Sequence, residues 1–176
     1  EVQFEHPPQG EVIFSKKDTW LKWRLLLHVV NFGRKSLGMA TDEMGFGPNI
    51  GDVLGIELLE VTADRVTGRM PVDARTHQPY GLLHGGASVV LAETLGSVGS
   101  HFIVAPEGKH AVGIEVNANH VRSVRSGWVH GEAVLQHRGG KLHVWNIAIK
   151  DEQDRLVCTS RLTVMIVSSS ATQSHA

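Results

Sequence analysis

The chain has one cysteine, Cys158, among 176 residues, so it holds no internal disulfide. It also lacks any paired-cysteine zinc spacing. Its 11 histidines include no His-Glu-x-x-His or similar local set, so no metal is expected. A single thiol fits a reducing compartment and leads us to expect a cytoplasmic protein. Net charge is −1, which removes the broad basic field that nucleic-acid binding would use, so no nucleic-acid partner is expected. Aromatic residues are only 6% of the chain, with a single tyrosine. The apolar stretch Trp20 to Phe32 is shorter than the roughly 20 residues that a membrane-spanning helix needs, and the longer one before Pro106 is diluted by Glu93, His101, serines and glycines. The most telling scarcity is local. Between Arg75 and Glu107 the only carboxylate is Glu93, and the other ionisable groups are histidines and Tyr80.

What is present reads as a short extension followed by one domain. Residues 1–36 contain the Pro- and Gly-broken "EHPPQGE" and then "KKDTWLKWRLLLHVVNFGRK", a basic amphipathic helix over 16–35. That helix either docks on its own domain or a partner subunit, or it touches a membrane or covers a pocket. It starts too far in, and lacks the small-residue cleavage site, to read as a signal peptide. "GMATDEMGFGPNIG" reads as a Gly-rich connection with Thr41 and Asp42 as helix caps. "DVLGIELLEVTADRVTGRMPV" reads as two strands joined around Thr62 to Asp64.

A loop broken by Pro79 and glycines leads into "GASVVLAETLGSVGSHFIV", a helix apolar nearly all round and therefore expected to be buried. Four strands follow in "HAVGIEVNANHV", "GWVHGEAVLQHR", "KLHVWNIAIKD" and "RLVCTSRLTVMIV". Residues 168–176 form a polar tail expected to be disordered. Two strands, one buried helix and four strands define an α+β fold, an antiparallel β-sheet wrapped around one long central helix, with an N-terminal helical extension.

Glu93 admits three readings. It faces solvent on a polar stripe, or it is buried in a structural network, or it is catalytic. Ser97 lies four residues on and shares its face. "HGG" at His84 to Gly86 opens the helix, where free N–H groups and the dipole favour a carbonyl oxygen. The Gly85 N–H suits an oxyanion contact. Alternatively, the glycines only make a tight turn. "NHVRSVRSG" offers Arg122 and Arg125, with His120, Val121 and Ser123, as a phosphate-binding turn or as a solvated basic one. Cys158 falls in a strand and reads as core.

"MPVDARTHQPYGLLHGGASVVLAETLGSVGS" followed by "GIEVNANHVRSVRSG" resembles the hotdog-fold acyl-CoA thioesterases. The similarity lies with the branch that hydrolyses dihydroxynaphthoyl-CoA in menaquinone synthesis and the branch that proofreads enterobactin assembly. It spans roughly residues 42–167, and it makes 37–167 a hotdog thioesterase domain. The resemblance implies a site shared between two subunits, with Glu93 as nucleophile or general base. It implies the Gly85 N–H on the thioester oxygen, Gln78 and His84 positioning the carbonyl or water, and Ser97 beside them. It implies that Gly113 lines the pantetheine channel. The turn at His120, Val121, Arg122, Ser123 and Arg125 and the hairpin His137, Arg138, Gly139, Gly140, Lys141 and Leu142 would hold coenzyme A. Coenzyme A is then part of the substrate, with no separate cofactor, and the partner is a second copy, as a dimer at least and a tetramer by analogy. An aromatic acyl group such as hydroxynaphthoyl or hydroxybenzoyl is expected. Two other readings remain at this point: a hotdog hydratase or dehydratase using His84 with Glu93, and a non-catalytic acyl-CoA-binding protein.

Overall fold

A computed structural model describes the backbone at residues 39–40 and all of residues 48–168. The basic helix expected over 16–35, the caps at Thr41 and Asp42, and the tail over 169–176 lie outside the described residues.

In chain order the elements are β1 (Met39–Ala40), α1 (Ile50–Leu54), β2 (Glu57–Val61), β3 (Arg65–Pro71) and α2 (Gly85–Val104), closed by a 3-10 turn at Ala105–Glu107. Then come β4 (Lys109–His120), β5 (Trp128–Arg138), β6 (Leu142–Asp151) and β7 (Leu156–Ser168). All pairings are antiparallel, in the order β1-β2-β3-β5-β6-β7-β4. The helix touches every strand from β2 to β7, so the expected sheet around one central helix is what forms.

Three local expectations are corrected. Asp52 to Leu54 are helical, not the start of a strand. Asn49 caps them, its side chain accepting from Gly51 N at 2.8 Å while Asp52 accepts from Asn49 N at 2.8 Å. This reciprocal cap, with Gly55 in the left-handed region at φ 70°, outweighs the β propensity of Val53. Met39 and Ala40, taken as a connection, form a short strand against Leu58 and Glu57. Ser168, placed in the tail, is the last residue of β7 and pairs with Lys109.

The helix is buried on one stripe, not all round. Leu91, Ala92, Leu95, Gly96, Gly99 and Ser100 are covered by the sheet, whereas Val90, Glu93, Thr94, Ser97 and Val98 are half-buried. Close approach sets this packing. A methyl group on Gly68 or Gly131 would lie 2.8 or 2.6 Å from a Leu95 methyl, and one on Gly99 would lie 2.5 Å from the Trp145 ring. Trp145 is fully buried and donates its Nε1–H to Ser100 Oγ at 2.8 Å, and His143 Nδ1 meets the same hydroxyl at 3.1 Å. Truncation of such a tryptophan costs about 3–5 kcal/mol.

Burial, with Arg138 and His137 adding nearby positive charge, holds the His143 imidazole below its usual range. Burial and His110 do the same for His101 in the last turn of α2. Both groups therefore bind a proton less readily folded than unfolded. Their contribution is complete above the ordinary value of 6.5 and is lost as pH falls below it. The urea midpoint is expected to drop between pH 7.5 and 5.5, and His143→Asn is expected to flatten that drop. An unchanged or rising midpoint on acidification would contradict the linkage.

Candidate functional site

The loop from Val72 to His84 is stapled to the turn after β4. Val72 N donates to Gly127 O at 2.9 Å, Leu83 N to Val124 O at 2.8 Å, and the His77 ring meets Arg125 O at 2.9 Å. Thr76, buried in the loop, donates its hydroxyl to Pro71 O at 2.9 Å and accepts from Asp73 N at 3.1 Å. His84 N donates to Thr76 O at 2.8 Å. The Arg75 guanidinium and N–H beside Asp73 lower its carboxyl to about 2, so this corner stays ionised.

This loop delivers His84 as the N-cap of α2. Its Nδ1 accepts from Gly86 N at 2.8 Å, which fixes the ring at the helix entrance with Nε2 outward. The Gly85 N–H has no acceptor among the described residues. It opens into a cleft of about 430 Å³ whose lining includes Gln78, Gly85, Ser88, His120, Arg122 and Ser123. A methyl group on Gly85 would lie 2.8 Å from His120 Nε2, so the imidazole rests directly on the first residue of the helix. Arg122 is anchored, with its N–H donating to Val157 O and its Nε–H to Leu156 O, both at 3.3 Å. Gln78, Gly85 and the basic turn, far apart in the chain, thus form one surface. His84 stands at its rim.

Glu93 and Ser97 belong elsewhere. Glu93 is eight residues along α2 from Gly85, about 12 Å at 1.5 Å per residue. Its carboxylate is turned to β4 at Gly113, where a methyl group would lie 2.6 Å from Oε1. The register of β4 slips between Gly113 and Glu115, and this bulge leaves Ile114 exposed. Glu93 is half-buried and makes no hydrogen bond or ion pair among the described residues. No structural network among the described residues ties Glu93 down.

The hairpin His137 to Leu142 is a third locus. Gly139 N donates to Leu142 O at 2.8 Å, and Lys141 O accepts from Ile166 N at 2.9 Å. Leu142 pairs with Met165, whereas His120 pairs with Cys158. The hairpin and the basic turn are thus seven β7 residues apart, roughly 23 Å at 3.3 Å per residue. One chain does not bring Arg138 or Lys141 to Arg122 and Arg125.

Two wider hollows, about 540 and 620 Å³, lie among polar side chains such as Asn117, Arg161, Arg65 and Lys150, and include neither Gly85 nor Glu93. Cys158 is buried in β7, and burial pushes its thiol up. Among the described residues no three His, Cys, Asp or Glu side chains group as metal ligands. Sequence reading missed Thr76 and Ser88. Ser88 had a signal, lying one turn past Gly85; Thr76 had none beyond its place in a polar loop.

A family model described as thioesterase superfamily matches residues 80–158. The 1,4-dihydroxy-2-naphthoyl-CoA hydrolase of Escherichia coli is 49% identical over 134 residues, covering 76% of this chain and 97% of that protein. A proofreading thioesterase of Cronobacter sakazakii is 41% identical over 145 residues, covering 82% and 98%. Among solved structures, a thioesterase of Haemophilus influenzae superposes with a TM-score of 0.70 at 39% identity, covering 81% of this chain and 97% of that one.

Thr76→Val removes the hydroxyl from a buried corner and leaves Asp73 N–H unpaired, at a cost of about 1–3 kcal/mol. The Leu83 and His84 amides are expected to exchange faster with deuterium in this variant, while the β6 and β7 amides keep their rates. Unchanged exchange at Leu83 would show that the staple does not depend on Thr76. The fold and these relatives agree, and the chain belongs to the thioesterase superfamily as a thioester hydrolase.

Proposed function

We propose that the protein hydrolyses an acyl-CoA thioester, with an aromatic acyl group such as hydroxynaphthoyl or hydroxybenzoyl, to the free acid and coenzyme A. The observation that carries this reading is Glu93, a carboxylate on the core helix with no partner among the described residues, facing the bulged β4 edge. The E. coli relative's name supports the dihydroxynaphthoyl class.

In the reaction the thioester oxygen lies on the Gly85 N–H, and Glu93 attacks the acyl carbon or activates water toward it. A carbonyl in contact with both groups spans only about 7 Å, from two contacts near 3 Å and one C=O bond. Gly85 and Glu93 of one chain face β4 at His120 and at Gly113, seven residues apart, so the reading places them in one site only across two subunits. Support comes from β4 itself. It is the last strand of the sheet, no described strand pairs with its outer edge, and Val112 and Ile114 are exposed on it. The half-buried second stripe of α2 adjoins the same strand. The protein therefore works as a dimer at least, with a tetramer following from the family resemblance.

Gln78 and His84 position the carbonyl or the water, and Ser97 stands one turn beyond Glu93. Arg122, Arg125 and Ser123 hold phosphate oxygens of coenzyme A. The hairpin from His137 to Leu142 reaches the nucleotide from a different subunit than that turn, and Gly113 lines the pantetheine path. The lone buried Cys158 supports a cytoplasmic location. A positioned carboxylate supplies about 10²–10⁴ in rate, and one oxyanion donor about 10²–10³.

Purified protein is expected to release free thiol from benzoyl-CoA or hydroxynaphthoyl-CoA. Glu93→Ala and Glu93→Gln are expected to lower kcat by about 10²-fold or more. Unchanged hydrolysis in Glu93→Ala would sink the mechanism. Binding without turnover would favour an acyl-CoA-binding protein, and water addition to an enoyl-CoA without thioester cleavage would favour a hydratase. Separately, Arg122→Ala is expected to raise KM for the CoA ester about tenfold while leaving an N-acetylcysteamine thioester nearly unaffected, as loss of one charge-assisted phosphate contact would do. Equal effects on both esters would remove the phosphate role.

A further inference from the structure

The hydrolytic reading leaves one problem unsolved, and the cleft at the start of α2 contains an answer. If Glu93 adds to the acyl carbon, the adduct carries two leaving groups, the carboxylate and the thiolate. A glutamic acid titrates near about 4.3 and an alkyl thiol near about 8.5, so the carboxylate is the better leaving group by about four powers of ten in acidity. Unaided, the adduct returns to substrate. Forward collapse needs a proton on sulfur as the C–S bond breaks.

Few residues of the cleft are able to supply that proton. The lining side chains are aliphatic, amide, hydroxyl, the Arg122 guanidinium and one imidazole, His120. An arginine does not give up its proton in a protein, and amide and hydroxyl groups are far too weak as acids. Imidazole is the side chain suited to proton transfer near neutral pH. The other histidines nearby are engaged: the His77 ring meets Arg125 O, and His84 Nδ1 accepts the Gly86 N–H, a bond that an imidazolium, with both nitrogens protonated, does not make. The His120 ring has no hydrogen-bond partner among the described residues, and its Nε2 lies against Gly85, whose N–H faces the carbonyl oxygen. The sulfur is bonded to that same carbonyl carbon, so it comes within a few ångströms of Nε2.

We propose that His120 is the acid that protonates the departing sulfur. In the step, Glu93 oxygen bonds to the acyl carbon and the carbonyl electron pair moves to oxygen at the Gly85 N–H. The pair then returns, the C–S bond breaks, and sulfur takes the proton from His120 Nε2. The products are free thiol, neutral imidazole and an acyl-Glu93 anhydride. Water cleaves the anhydride; one of its protons restores the imidazolium and the other leaves to solvent with the ionised acid. This assignment rests on the hydrolytic reading above. It gives His120 a part in the chemistry that a phosphate contact does not need.

The test compares leaving groups. Wild type, His120→Gln and Glu93→Ala are assayed on the benzoyl thioester of N-acetylcysteamine, on S-phenyl thiobenzoate, whose aromatic thiol leaves without a proton, and on benzoyl-CoA. For His120→Gln, kcat is expected to fall about 10²-fold on both alkyl thioesters. The fall on the phenyl thioester is expected to be less than about threefold, with KM shifting less than about twofold throughout. A misfolded or misplaced site would slow all three alike, so an equal loss on alkyl and phenyl esters overturns the proposal. A rise in KM confined to benzoyl-CoA also overturns it and makes His120 a coenzyme contact. Activity surviving in Glu93→Ala would defeat the hydrolytic reading instead, whatever His120→Gln does.

Discussion

The seating of α2 against the sheet governs everything else in this molecule. Glycines stand on both sides of the contact: Gly68 and Gly131 admit the Leu95 methyls, and Gly96 and Gly99 admit Leu162 and the Trp145 ring. A single methyl group at these points would lie 2.5 to 2.8 Å from a neighbouring atom, so the helix has almost no freedom to shift or turn. Ser100 completes the lock by joining Trp145 and His143 through one buried hydroxyl. Because the buried stripe is fixed, the opposite stripe is fixed too. Glu93 is held where it meets β4, and Gly85 where it meets His120.

This rigidity explains how a carboxylate on a core helix is tolerated. Glu93 is not sealed in the interior, where an unpaired charge would carry a large desolvation cost. It lies between the buried stripe and the edge strand, and Gly113 clears room for its oxygens. The adjacent bulge keeps Ile114 outside the ladder and leaves the strand edge uneven. The same features that spare the carboxylate the cost of burial leave an apolar edge exposed beside it. Among the described residues no strand covers this edge.

Much of this arrangement was legible in the sequence, for physical reasons. Runs such as "VHGEAVLQ" and "LHVWNIAI" alternate side chains between core and solvent, and β5 and β6 form within a residue of the expected limits. The helix was visible because His-Gly-Gly opens it and Pro106 closes it. Short elements escaped. The cap of α1 depends on Asn49 and Asp52 acting together, and β1 exists only because β2 offers an edge. The network of Ser100 with His143 and Trp145 joins residues 43 and 45 positions apart, so no local pattern announces it. Glu93 was noticed by its isolation in the sequence, but its half-buried setting against Gly113 depends on the pairing of β4 with β7, which runs across the chain order.

The staples between the loop and the basic turn have a consequence for chemistry. Three contacts, at Gly127, Val124 and Arg125, hold the loop on the turn. Two further bonds, from Val121 and Arg122 to Val157 O, tie the turn to β7. The helix entrance and the basic turn are therefore tied together, and a phosphate held at Arg122, as proposed, would be presented to Gly85 without a hinge between them. Binding energy from the distant, charged part of such a substrate would then be available to orient its carbonyl, because little of it is lost in ordering the site. Glu93, the carboxylate of the proposed mechanism, stands outside this tied region, against β4 at Gly113, seven residues before His120. In the proposed mechanism a thioester on Gly85 meets a carboxylate only from a second chain, which would make assembly of the oligomer and assembly of the active site a single event.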